Sequence, residues 1–220
     1  MSIKDNLIRI KSELPDTVEL VAVSKTKPLA DIMEAYRAGQ RVFGENKVQE
    51  MVQKWEGLPK DIQWHMIGHL QRNKVKYMAG FVSLVHGVDS LRLLQEIDKQ
   101  GKKVDRTIPC LLQVHIAQEE TKFGLDPVEL EELIQCKAFK TMNNIQIKGL
   151  MGMASHTGNE AQIRMEFQNL KSLFEDLKKD MPEISILSMG MSSDHALAVE
   201  QGSTMVRIGS RIFGSREQVQ

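Results

Sequence analysis

The chain has 220 residues, with 29 Lys plus Arg balanced by 29 Asp plus Glu, and 41% hydrophobic against 26% charged residues. That composition belongs to a globular chain able to bury a sizeable core, and zero net charge argues against a nucleic-acid binder, which carries a basic excess. Cys110 and Cys136 form no CxxC pair, which excludes a disulfide framework and a Cys-rich zinc site, and no apolar run reaches the roughly 18 residues of a membrane span.

The N-terminus, MSIKDNLIRIKSELPD, is charged every few residues and lacks the apolar core of a signal peptide; Ile3–Leu14 reads as a helix. Val18–Val23 is an apolar run that predicts a first strand. Leu29, Ile32, Met33 and Tyr36 then share one helix face, closed by Gly39. Arg41–Gly44 predicts a second strand, followed by a helix carrying Met51, Val52 and Trp55. Ile62–Ile67 predicts a third, with a helix through Val75 and Met78. Phe81–His86 predicts a fourth, and Asp89-Ser90 is placed to cap the helix of Leu91, Leu94 and Ile97. Ile108–Ile116 predicts a fifth strand, and Asp126-Pro127 starts the next helix, since proline suits the first helical position. Ile145–Leu150 is a sixth strand, before a long helix striped by Ile163, Phe167, Leu170, Phe174 and Leu177. Ile184–Leu187, a helix over His195–Gln201, and Met205–Ile208 complete eight strand–helix units. Such alternation implies right-handed crossovers and a parallel sheet. The expected fold is α/β, a single (β/α)8 TIM barrel with an extra N-terminal helix, forming one cytoplasmic domain over residues 1–220; a doubly wound open sheet is the alternative.

In a (β/α)8 barrel the reactive groups come from the C-terminal strand ends and the loops after them. Lys25 ends the first strand on the face of Val21 and Val23, so it stands at the barrel mouth if that face points inward. An amine there can form a Schiff base with a carbonyl compound; a solvated surface lysine is the other reading. The segments SMGMSSD (Ser188–Asp194) and RIGSRIFG (Arg207–Gly214) each end a strand and open a helix with Gly and Ser at the turn. Their backbone N–H groups and hydroxyls suit an anion, in the two loops where barrels usually bind phosphate, although such turns also occur without a ligand. Arg207 shares a face with Met205 and needs a hydrogen-bond acceptor inside the barrel, a carboxylate being one candidate. His65 and His69 straddle a strand end and Gly68, and no HExxH or similar cluster occurs, so no metal site is expected. His86, His115, His156 and His195 read as satisfied polar residues at strand ends or on the surface.

The blocks AVSKTKP (Ala22–Pro28), FGENKVQE (Phe43–Glu50), WHMIGHLQRNK (Trp64–Lys74), KFGL (Lys122–Leu125), GLMGMA (Gly149–Ala154), SMGMSSD and GSTMVRIGSRIFG (Gly202–Gly214) occur in one order along nearly the whole chain. In these blocks the chain resembles the pyridoxal phosphate homeostasis protein family. The resemblance implies an alanine-racemase-like barrel, fold-type III, that binds pyridoxal 5′-phosphate (PLP) and acts in vitamin B6 homeostasis without robust catalysis. Carried over residue by residue, it implies Lys25 as the lysine bonded to PLP, with Ser192, Gly209 and Ser210 holding the phosphate. It further implies Arg207 facing the pyridine nitrogen, and Asn46, His65, Met151 and Met153 lining the ring; His69 receives no role. Apo forms of PLP-dependent enzymes are the implied partners. The chain is expected to be a monomer, a weak dimer being the alternative.

The competing reading is a small PLP-dependent amino-acid racemase on the same barrel. Racemases of this class add a β-rich domain that supplies a tyrosine base. No strand-rich tail is expected here after Gly214, and Tyr36 and Tyr77, the two tyrosines, fall on outer helices by periodicity. A phosphate-sugar aldolase barrel using Lys25 would need a nearby general acid or base, and none stands out. The expectation is therefore a binding protein with no catalytic residue.

Overall fold

A computed structural model describes residues 2–119 and 123–214. Eight parallel strands follow one another in chain order: β1 (Glu19–Val23), β2 (Val42–Glu45), β3 (Gln63–Met66), β4 (Leu84–Val88), β5 (Ile108–Gln113), β6 (Ile145–Met151), β7 (Ile186–Ser188) and β8 (Met205–Ile208). They close into a barrel, with β8 pairing back onto β1 so that Arg207 lies opposite Val21. The expected TIM barrel is the observed fold, and the open sheet is excluded by that closure.

Helices α1 (Ile3–Glu13), α2 (Leu29–Arg37), α3 (Val48–Gly57), α4 (Val75–Met78), α5 (Leu91–Lys103), α6 (Pro127–Gln135), α7 (Lys137–Lys140), α8 (Glu160–Asp180), α9 (His195–Glu200) and α10 (Ser210–Phe213) surround it. Local chemistry sets several of their starts. The Ser2 side chain accepts from the Asp5 N–H and Asp5 reciprocates, as do Asp126 and Glu129 ahead of α6. The stripe of α8 is buried as its period requires, with Ile163, Phe167, Leu170, Phe174 and Leu177 in the core.

Three expectations shift. The fourth strand starts at Leu84 rather than Phe81, because the Phe81 and Val82 N–H groups turn back onto Met78 O and the Phe81 ring stacks on Trp55 in the outer layer, with 4.5 Å between centroids. Ser90 occupies the cap position of α5, but its side chain makes no capping bond. The fifth strand ends at Gln113, after which Val114 bridges Leu125.

The helices pack on the outward faces of the strands through one continuous apolar layer. Inside the barrel a smaller plug of Val21, Val42, Leu84, Leu111, Met151 and Met205 fills the section away from the mouth. Among the described residues, no helix is long and apolar enough to cross a membrane.

Candidate functional site

The C-terminal strand ends open onto a cavity of about 410 Å³ lined by Val23, Lys25, Asn46, Ile67, Met153, Met191, Ser192, Ser193, Arg207, Gly209 and Ser210. Most of the residues singled out by sequence therefore meet in one place: Lys25, Asn46, Met153, Ser192, Arg207, Gly209 and Ser210 all face it. His65 and Met151 do not line it; both are buried, Met151 within the barrel plug. Ile67, Met191 and Ser193 were not foreseen, although strand alternation from His65 would have found Ile67. A second hollow of about 420 Å³ opens at the opposite end, beside Glu19, Gln40 and Gln63. It lies at the strand starts, where barrels of this kind do not place their reactive groups.

One wall of the mouth cavity is made of backbone. After β7 the chain turns at Gly190, whose φ of 95° lies in the left-handed region, and a Cβ there would come within 2.6 Å of Ala198 Cβ. Asp194 closes this turn by accepting from the Met191 N–H at 2.5 Å. After β8, Gly209 passes close to β1; a Cβ on it would stand 3.1 Å from Val23 O. The Gly209 N–H donates to Ser192 Oγ at 3.3 Å, which joins the two turns. Among the described residues, the backbone N–H groups of Ser192, Ser193 and Ser210 take no protein acceptor. Donors converging from two turns, with two serine hydroxyls, make a cup suited to a tetrahedral anion.

The floor carries a buried cation. Arg207 is 4% exposed, and burial lowers its pKa to about 10, so it stays protonated at neutral pH. Its acceptor is not a carboxylate: NH1 donates to Ser188 Oγ at 2.6 Å and NH2 to Gly152 O at 3.0 Å. Asp194 favours the charged form through space.

From Ser188 the network runs into the barrel, with His86 Nδ1 at 3.1 Å from Ser188 Oγ and His86 Nε2 at 3.1 Å from His65 Nδ1. His86 is fully buried inside the barrel rather than at a strand end or the surface, and sequence reading missed this role. Burial pushes the His65 pKa down to about 3 and the His86 pKa well below the usual imidazole range, with His65 and Arg207 adding to the effect on His86. Arginine only donates, so Ser188 accepts there and its own O–H is satisfied at His86 Nδ1. His86 then carries its proton on Nε2 and donates to His65.

His69 stands aside from the cavity, paired with Asp89 at 3.3 Å and stacked on Phe123. His195 is buried and bonds Arg211 at 2.8 Å, while His156 is exposed. Tyr36 on α2 bonds Asp61 at 2.8 Å and Tyr77 on α4 is 54% exposed, so neither tyrosine lines the cavity. Lys122 of the KFGL block lies outside the described residues. Among the described residues, no group of three His, Cys, Asp or Glu side chains is placed to hold a metal ion.

A family profile described as alanine racemase, N-terminal domain, matches residues 1–217. A pyridoxal phosphate homeostasis protein of Vibrio alginolyticus is 38% identical over 231 residues, covering 98% of each chain. The structure of PipY from Synechococcus elongatus, solved with PLP bound, superimposes with a TM-score of 0.88 at 38% identity, covering 97% of this chain and 100% of that one. The alanine racemase of Clostridium difficile shares the fold, with a TM-score of 0.81 at 15% identity, and this chain spans 58% of its length. An alanine-racemase-type barrel with near full-length relatives of this kind places the chain in the pyridoxal phosphate homeostasis protein family.

Proposed function

We propose that this chain binds PLP at the mouth of the barrel, holds it as a Schiff base on Lys25 and serves intracellular PLP homeostasis as a carrier without robust catalysis. The observation that carries the reading is the meeting of an amine, an open set of N–H and hydroxyl donors and a buried guanidinium on one cavity of about 410 Å³. That volume falls within the range of about 300–1,000 Å³ usual for small-ligand sites. PipY, a relative 38% identical, was solved with PLP bound, which supports the same ligand here.

The residues divide the work. Ser192, Ser210 and the Gly209 backbone take the phosphate through charge-assisted hydrogen bonds, the Gly209 N–H exchanging its 3.3 Å bond to Ser192 Oγ for one to the anion. Asn46 and Met153 flank the ring, with His65 and Met151 supporting the floor beneath it. Arg207 donates to the pyridine nitrogen and, being protonated, keeps that nitrogen without a proton. PLP supplies an aldehyde for amine capture and an electron sink whose strength depends on that nitrogen. An unprotonated nitrogen makes a weak sink, which suits storage better than carbanion chemistry. Apo-enzymes that require PLP are the recipients in this reading, and the chain works as a monomer.

The test is the visible absorption of the purified protein with PLP, followed by borohydride reduction and peptide mapping. A band abolished by reduction, with the pyridoxyl group on Lys25, supports the assignment. A label confined to Lys27 or Lys47 refutes it.

A further inference from the structure

Lys25 sits in a turn that its own sequence does not favour. The Lys27 N–H closes the turn onto Ser24 O at 3.0 Å, leaving Lys25 and Thr26 as its central residues. Thr26 has a φ of 65°, one of two non-glycine residues at positive φ among the described residues. A β-branched side chain is strongly disfavoured there, where glycine or asparagine is usual. Something outside the turn must hold it.

Helix α3 supplies that hold. Lys54 is 5% exposed and its Nζ reaches three acceptors at 2.7 Å each: Ser24 O, Glu45 Oε1 and Glu50 Oε1. An ammonium has three N–H donors, so all are used. Glu45, fully buried at the end of β2, also accepts from Ser24 Oγ at 2.6 Å. Glu50 Oε1 accepts from the strained Thr26 N–H at 2.6 Å. The residues on both sides of Lys25 are therefore clamped by one charged cluster, and none of its members lines the cavity.

We propose that Glu50, Lys54 and Glu45 are positioning residues that hold the Ser24–Lys27 turn so that the Lys25 amine is presented to the cavity. The inference rests on the reading of Lys25 as the PLP-bonding lysine. The cluster acts through the backbone at Ser24 and Thr26, so it governs covalent capture and leaves the anion cup across the cavity alone.

Lys54 is too deeply buried to remove without risk to folding, so the test uses Glu50, which is partly exposed. Glu50→Ala removes the acceptor for Thr26, whereas Glu50→Gln keeps an amide oxygen in its place. PLP affinity, read from the borohydride-sensitive band, is measured beside that for pyridoxine 5′-phosphate, which has the phosphate and ring but no aldehyde. Glu50→Ala should weaken PLP binding about tenfold, the loss expected for one charge-assisted hydrogen bond, and leave pyridoxine 5′-phosphate binding unchanged. Glu50→Gln should recover most of that loss. Hydrogen exchange at the Thr26 amide should quicken in Glu50→Ala while the barrel strands stay protected. Unchanged PLP affinity in Glu50→Ala, or an equal loss for both ligands, overturns the positioning role while leaving the Lys25 assignment intact. A wild-type protein that shows no such band overturns that assignment, and the inference with it.

Discussion

The two walls of the mouth cavity are built by opposite means. On the Lys25 side, Glu45 from β2 and Glu50 and Lys54 from α3 bond to one another and grip the backbone on either side of the lysine, while Glu45 Oε2 has no partner among the described residues. On the opposite side, Gly190, Ser192, Gly209 and Ser210 bring backbone close with little side-chain bulk, and among the described residues the Ser192, Ser193 and Ser210 N–H groups take no protein acceptor. The contrast shows how rigidity and availability are separated. A group that must stay in place is held by side chains bonded to one another, whereas a surface that must receive an anion keeps several donors unsatisfied by protein.

The largest expected break in this comparison is at the amine. Lys25→Ala should abolish the borohydride-sensitive band and retain the far-UV circular dichroism of the wild type, since a mouth lysine adds little to the core. It should still bind pyridoxine 5′-phosphate, because the opposite wall is untouched. A band that survives in Lys25→Ala would falsify the covalent assignment.

Catalysis should be nearly absent for a reason that lies in both the floor and the outer helices. Racemisation needs proton donors on both faces of Cα, yet Tyr36 is engaged with Asp61 on the outside and Tyr77 is exposed on α4. Arg207 adds its effect on the ring nitrogen. Each loss of about 1.4 kcal/mol slows turnover tenfold, so the protein should fall far below a typical rate of about 10 per second. Incubation with L-alanine or L-serine in deuterated water, followed by chiral chromatography and Cα exchange, reads this directly. Lys25-dependent racemisation at ordinary enzyme rates would establish the racemase instead.

The anion wall should respond more modestly. Ser210→Ala removes one hydroxyl from a cup of several donors and should weaken PLP by about ten- to a hundredfold, the range for a hydrogen bond to a charged group. Pyridoxal, which lacks the phosphate, should bind poorly to the wild type in titration calorimetry. Equal affinity for pyridoxal and PLP would remove the cup from the account.

The smallest effect concerns the histidine pair beneath both walls. The folded pKa of His65, about 3, lies below its unfolded value of about 6.5, so the unfolded chain binds the proton more readily between those limits. Its contribution to stability is complete above about pH 6.5 and is lost progressively as pH falls toward 3. Relative to His65→Gln, wild-type stability should drop by about 2 kcal/mol between pH 7.5 and 5.0 in urea unfolding. A pH-independent gap between the two proteins would show that His65 titrates normally.

Much of this architecture follows from spacing along the chain. Apolar residues at helical and strand periods are local properties, and so β8 runs from Met205 to Ile208 as expected and the α8 stripe is buried. Short apolar runs are ambiguous at their ends: the Phe81 and Val82 N–H groups turn back onto Met78 O, and the Phe81 ring stacks on Trp55 in the outer layer. Chemistry at strand ends was legible for the same reason: closure of the barrel brings every C-terminal strand end to one rim, so Lys25, Ser192, Arg207 and Ser210 had to meet there.

What sequence could not decide is which polar side chains satisfy one another within that rim. His86 and Ser188 are 102 residues apart, and Lys54 reaches Ser24 across 30. A buried donor takes whichever acceptor the packed barrel brings within about 3 Å. No local pattern encodes that choice, so Arg207 found a serine and a carbonyl where a carboxylate was conceivable, and Thr26 adopted a turn geometry that its own side chain resists. Local periodicity determined which elements form and which faces they bury; long-range satisfaction of buried polar groups, possible only after the barrel closes, determined how the site is held.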